Sequence, residues 1–269
     1  MRTVAVVLAG GSGLRLGGEL PKQLQLLAGR TLLEHSVAAF EQAPGVDDMI
    51  VVMPAAYVDV AASILSDKYG KLRRIIAGGA DRPGSTRCAI DLLSNDPPVA
   101  GSPHPPAGEP HRLPPHRPAG EPRLAHPAPP ELDCNVLFHD AARPLVDQRI
   151  IADCVAGLGE HEALGVVVPT ADTIVRLEDG TMVSIPPRES LGRCQTPQGF
   201  RLSVIRRAYE LAAADLAAGT FSATDDCGMV LRYLPEVPVR AVAGSERNLK
   251  ITYAGDLRIA ESLLLSPDS

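Results

Sequence analysis

The chain has 269 residues, 45% of them hydrophobic, and a net charge of −6. That length can bury one substantial core, and the acidic balance argues against nucleic-acid binding, which calls for a basic face. The apolar run at residues 4–10 is too short to cross a bilayer and opens into glycines rather than a cleavage site. The five scattered cysteines have neither metal-ligand nor disulfide-framework spacing, so reduced thiols in a cytoplasmic protein are expected.

Residues 4–8 predict a buried strand that enters the glycine loop Gly10-Gly11-Ser12-Gly13. A small turn is expected around residues 24–30. Thr31 then starts a helix, with Glu34 as its capping-box partner and Leu32, Leu33, Val37 and Phe40 as its apolar stripe. A second strand is predicted at 49–53, a second helix at 57–69, and a third strand at 74–77 ending in Gly78-Gly79. A helix follows through Leu93. Residues 96–131 are dense in proline and nearly repeat a Pro-Ala-Gly-Glu-Pro segment. Such composition cannot build a core, and it reads as a disordered insertion whose irregularly spaced histidines are poor metal ligands. Strand 135–138, helix 147–158 and strand 165–168 follow. In residues 170–194, Ile174, Arg176 and Met182 surround the turn Glu178-Asp179-Gly180, which predicts a projecting β-arm. An uncovered strand edge of that kind invites a second subunit.

Alternation of helices with strands that are apolar on both faces predicts a single α/β domain. Its sheet is Rossmann-like and mainly parallel, with helices on both faces. Ligands bind at the carboxyl ends of such strands, where three loops converge. In the first, glycines let backbone amides approach a polyphosphate, and Arg15 and Lys22 add fixed cations. The second is Gly78-Gly79-Ala80-Asp81-Arg82-Pro83-Gly84-Ser85. The third, His139-Asp140-Ala141-Ala142-Arg143-Pro144, presents a carboxylate suited to Mg²⁺, a hard cation that shares oxygen ligands with substrate phosphates. His139 itself reads as a packed, hydrogen-bonding residue. For each loop the plainer alternative is a turn glycine, a surface cation or a helix-capping Asp.

With these motifs the chain resembles the cytidylyltransferase branch of the nucleotide-diphospho-sugar transferase superfamily, from residue 4 to about 264 without the Pro-rich insertion. The resemblance implies that CMP is transferred from CTP to a small polyol phosphate. It implies that Ala9, Gly10, Gly11 and Gly13 cradle the nucleotide, while Gly79, Ala80 and Ser85 contact its base and ribose. Asp140 would hold the divalent cation and the polyol, and Ala141 would approach the nucleotide. Arg15 and Lys22 would stabilise the reacting phosphates. Asp172-Thr173-Ile174-Val175-Arg176 resembles the segment whose Arg reaches the acceptor phosphate, across a homodimer interface. Thr224 and Lys250, in Thr224-Asp225-Asp226 and Asn248-Leu249-Lys250-Ile251-Thr252, match its other contacts. The stretch from Cys194 to Phe200 reads as scaffold.

The branch includes enzymes for 2-C-methyl-D-erythritol 4-phosphate and for ribitol 5-phosphate. The third loop, Arg176 and Thr224-Asp225-Asp226 favour the first acceptor. Leu8-Ala9-Gly10-Gly11, Ile185-Pro186-Pro187-Arg188 and Cys227 lean toward the second. Sugar-1-phosphate or molybdenum-cofactor nucleotidyltransferases share only the opening loop. A reading of another class is a CTP-binding scaffold without turnover, whose Pro-rich insertion docks partners.

Overall fold

The computed structural model describes residues 1–10, 21–95, 133–221 and 223–266. The Pro-rich insertion therefore lies outside the described residues, as do Gly11, Gly13 and Arg15 of the first loop. In chain order the elements are β1 (Thr3–Leu8), β2 (Leu26–Leu27), β3 (Arg30–Thr31), α1 (Leu32–Gln42), β4 (Asp48–Met53), α2 (Val58–Leu65), β5 (Leu72–Ala77) and α3 (Arg82–Asn95). They continue as β6 (Asn135–Asp140), α4 (Gln148–Glu160), β7 (Ala163–Pro169), β8 (Arg176–Glu178), β9 (Thr181–Ser184) and β10 (Gly192–Arg201). The C-terminal part adds α5 (Leu202–Ala218), α6 (Asp226–Tyr233), β11 (Val239–Ala243) and α7 (Ala254–Leu265).

Seven strands form one sheet in the order β11-β7-β10-β6-β1-β4-β5. β1 pairs in parallel with β4 and β6, β4 with β5, and β11 with β7. β10 is antiparallel to both of its neighbours, β6 and β7, so six strands run one way and a single reversed strand joins the two parallel blocks. From β1 the chain moves outward to β4 and β5, then returns to the other side of β1 as β6. That reversal opens the crevice between β1 and β6, where α/β sheets take their ligands.

The strands are apolar on both faces because each face has its own helical cover. On one side Val4, Val6, Ile50, Val52, Val136 and Phe138 pack with Ile90 of α3, Ile205 of α5 and Met229 of α6. On the other, Ala5, Val7, Met49, Val51 and Leu137 meet Val37 and Phe40 of α1, Leu65 of α2 and Ile150 of α4.

Local signals account for several boundaries. The Thr31 side chain accepts from the Glu34 amide, the Glu34 carboxylate accepts from the Thr31 amide, and the predicted capping box is complete. Asp147 caps α4 through the Ile150 amide. The helix expected at 57–69 is shorter. A 3-10 turn over Ala55–Tyr57 precedes it, and the extended Ser66 and left-handed Asp67 (φ 62°) end it. The arm forms at the expected turn: Glu178 faces Thr181, leaving Asp179 and Gly180 at φ 48° and 78° as the two-residue hairpin loop. At the opposite rim from the crevice, Arg2 and Arg73 clamp the buried Asp48 and tie the start of β1 to β4 and β5. No helix among the described residues is long and apolar enough to cross a membrane.

Candidate active site

Strand register brings the three loops side by side. Leu8 lies opposite both Val52 and Asp140, and Met53 lies opposite Ala77. Gly10, Gly78 and Asp140 consequently share one rim. Gly10 and the second glycine loop close against the start of α3. A Cβ on Gly10 would stand 3.1 Å from the Ser85 Oγ, and one on Gly78 only 2.6 Å from it. At Gly79 a Cβ would meet the Gly84 backbone at 2.6 Å. Glycine is required here by proximity rather than by a positive φ. Beneath the exposed Gly79 and Ala80, Ser85 is 1% exposed and its hydroxyl has no partner among the described residues. A buried unpaired hydroxyl is costly, so it marks a position where the polar edge of a ligand can supply the missing bond.

Ala9 and Ala141 are buried beneath this surface. The Ala9 amide donates to the Val52 carbonyl at 2.8 Å and the Ala141 amide to the Leu8 carbonyl at 2.9 Å. Both amides thus extend the sheet, and the two residues form the floor of the rim.

Asp140 ends β6 with its carboxylate between two cations. Lys250 Nζ lies 2.7 Å from Oδ2, and Arg82 Nε lies 3.3 Å from Oδ1. Burial alone would raise the pKa of this carboxyl; Arg82, then Lys250, hold it well below the usual carboxylate range. Lys250 is aimed by its neighbours. Asn248 is fully buried and its Nδ2 donates to the Thr196 carbonyl at 2.9 Å, while the Ile251 amide donates to the Ala142 carbonyl at 2.7 Å. The same segment receives Lys22, whose Nζ donates to the Ile251 carbonyl at 3.2 Å. Lys22 and Lys250 therefore arrive on one edge of the rim. His139 is packed away from it, its ring bonded to Thr196 Oγ1 and to the Arg143 carbonyl, each at 3.0 Å. Burial lowers its pKa to about 4, which leaves a neutral ring at neutral pH.

Thr224 is exposed just before α6, whose N-cap Asp225 accepts from the Gly228 amide at 2.8 Å. Arg176 does not join the cluster within one chain. It stands 66% exposed on β8, ion-paired with Glu178.

Several connecting residues escaped the sequence reading. Arg82 reaches Asp226 as well as Asp140, its Nη1 lying 2.8 Å from Asp226 Oδ2. Gln198 accepts from the Asp226 amide at 2.9 Å and donates to Asp225 Oδ2 at 3.0 Å. Thr196, in the stretch read as scaffold, accepts from the Asp140 amide at 3.1 Å. Two signals were available for the first pair: an arginine inside a glycine loop, and a second Asp beside the one that caps α6.

A divalent cation fits this chemistry. Asp140 offers an ionised hard oxygen, and among the described residues no group of three His, Cys, Asp or Glu side chains forms a ready-made cage. One protein carboxylate suits an ion that takes its other ligands from phosphates and water.

Comparison with known proteins gives a consistent answer. The family model for 2-C-methyl-D-erythritol 4-phosphate cytidylyltransferase matches residues 3–99 and 128–266, passing over most of the Pro-rich insertion. A protein of that name from Thermobifida fusca is 45% identical over 98% of this chain and 93% of its own length. A bifunctional ribulose 5-phosphate reductase/CDP-ribitol pyrophosphorylase from Haemophilus influenzae is 33% identical over 98% of this chain, which spans 48% of that protein. The crystal structure of a 4-diphosphocytidyl-2C-methyl-D-erythritol synthase from Anaerococcus prevotii shares the fold, with a TM-score of 0.72 at 23% identity over 98% of this chain and 99% of that one.

The crowding at Gly79 gives a direct check on the loop. Gly79→Ala should displace the second loop from α3 and lower stability by about 1–3 kcal/mol, the usual cost of overpacking, as read from urea denaturation. An unchanged transition midpoint would contradict the close approach.

Proposed function

Since the chain belongs to the 2-C-methyl-D-erythritol 4-phosphate cytidylyltransferase family, we propose that it joins CMP from CTP to the phosphate of that polyol. Pyrophosphate is released, and the product serves the non-mevalonate route to isoprenoid precursors. The observation that carries this reading beyond kinship is the rim itself. An ionised Asp140 and the cations Lys22 and Lys250 share the rim with Gly10, the second glycine loop and a Ser85 hydroxyl unpaired among the described residues, in a chain of net charge −6.

The reaction needs no covalent intermediate. An acceptor phosphate oxygen bonds to the α-phosphorus of CTP as the α–β anhydride bond breaks, and the chain's part is placement and charge neutralisation. Gly10, Gly79 and Ala80 border the nucleotide, and Ser85 supplies a hydroxyl for the polar edge of its base or its ribose. Lys22 neutralises charge on the reacting phosphates, a role that the motif extends to Arg15, Gly11 and Gly13, which lie outside the described residues. Asp140 holds Mg²⁺, which when bound neutralises phosphate charge. Lys250 and Thr224 anchor the acceptor phosphate.

Arg176 completes the site from a second copy of the chain. The arm carries Ile174, Leu177, Met182, Val183 and Ile185, all exposed, and another subunit covering them would bring Arg176 to its neighbour's acceptor phosphate. Soluble monomers rarely leave such a run uncovered.

Three outcomes follow. Supplied with CTP, Mg²⁺ and each polyol phosphate in turn, the purified protein releases pyrophosphate faster with the methylerythritol phosphate. Release with ribitol 5-phosphate alone would reverse the acceptor assignment, the opening Leu8-Ala9-Gly10 being the observation that favours that outcome. Lys22→Ala should lower turnover by about 10²–10³ with the fold intact by circular dichroism, as loss of a preorganised transition-state cation does. Near-normal turnover would remove Lys22 from the mechanism. Introducing Leu177→Asp with Met182→Asp should yield monomers in sedimentation experiments, whereas dimers that persist would exclude the arm as the interface.

A further inference from the structure

One guanidinium connects all three parts of the site. Arg82 begins α3 at the end of the nucleotide loop, Asp140 is the carboxylate assigned to the cation, and Asp226 opens α6 two residues after Thr224. Arg82 Nε lies 3.3 Å from Asp140 Oδ1, and its Nη1 lies 2.8 Å from Asp226 Oδ2. Asp226 has no solvent exposure; its other oxygen accepts from the Tyr209 hydroxyl at 2.7 Å and its amide donates to Gln198. Among the described residues neither Arg82 Nη2 nor Asp226 Oδ2 has a hydrogen-bond partner, so Arg82 holds Asp226 as a buried ion pair and Asp140 as a hydrogen-bonded one. Asp225 already caps α6 through the Gly228 amide, so Asp226 is not needed for capping. Its burial is compensated by Arg82.

We propose that Arg82 is a positioning residue that sets the acceptor-binding loop against the metal-bearing carboxylate, holding Asp140 and Asp226 in one fork. The inference rests on the cytidylyltransferase reading and assigns Arg82 no contact with substrate. Arginine suits the position because its wide planar group carries charge to two carboxylates at once, Nε to Asp140 and Nη1 to Asp226, whereas a lysine ammonium is a point charge that serves one well. The Asp226 end of the fork governs where Thr224 stands. The nucleotide loop backbone is held separately, by the Asp81 carboxylate accepting from the Gly84 amide at 2.7 Å and by the Ser85 amide donating to the Asp81 carbonyl at 3.0 Å. Loosening the clasp should therefore affect the acceptor far more than CTP.

Asp226→Asn keeps the shape and the bond from Tyr209 but removes the charge that Arg82 grips. Arg82→Lys keeps the charge but loses the fork, and it serves the comparison alone if the first variant does not fold. Each is compared with wild type in melting temperature, in CTP binding by calorimetry without acceptor, and in steady-state kinetics. Expected are CTP affinity within about twofold of wild type and an acceptor KM raised about tenfold or more, the scale of one lost close charge pair. A purely structural role would weaken both ligands together. Equal weakening of CTP and acceptor, or an unshifted acceptor KM in a folded variant, overturns the clasp. If wild type is inactive with every polyol phosphate, the functional reading falls and takes the clasp with it; an active wild type with unshifted variants defeats the clasp alone.

Discussion

Asp140 is a carboxylate kept ionised at the mouth of a dry sheet, and the rest of the site is arranged around that constraint. A buried negative charge persists only with close compensation, and here Arg82 and Lys250 provide it from opposite sides. The two cations come from segments far apart in the chain, one before β6 and one after β11. Keeping Asp140 charged therefore draws the ends of the fold together. Backbone at the rim follows the same logic, since Thr196 takes the Asp140 amide and Asn248 takes the Thr196 carbonyl. These bonds fix the carboxylate and the lysine relative to each other before any ligand arrives. Such preorganisation is what charge-stabilising catalysis needs.

The α/β architecture was legible in the sequence because each central strand is a short apolar run bounded by polar or turn-forming residues, with helical periodicity between runs. Residues 4–8, 49–53 and 135–138 show this, and all lie within the core strands found. The reversed direction of β10 was not legible. Cys194-Gln195-Thr196-Pro197-Gln198 is too polar to resemble a central strand, yet Gln195, Thr196 and Gln198 are buried and their side chains are engaged. The polarity reflects strand residues whose side chains bond the segments around them. β11 was hidden for a different reason: it is an edge strand carrying Arg240 and is only partly covered.

Within the candidate site, motif context singled out residues whose type announces chemistry, such as Lys22, Asp140 and Lys250, and the fold gathers these three at one rim. Motif context did not reveal the residues that act on those residues. Arg82, Gln198 and Asp226 owe their importance to partners 58, 27 and 144 positions away, respectively Asp140, Asp225 and Arg82. Single-sequence patterns carry no such distances. Ala9 and Ala141 show the converse, since both sit inside the right motifs but lie below the surface with their amides committed to the sheet.

The reversal of β10 also decides where the arm emerges. β7 runs toward the ligand-bearing rim and ends at Pro169, while β10 starts at Gly192 opposite it and runs back. Everything between them must leave and re-enter at that same edge. The hairpin thus emerges at the rim that carries Asp140 and not at the far side of the sheet. The strand that leads out of the hairpin is therefore the one that carries Thr196, the acceptor of the Asp140 amide.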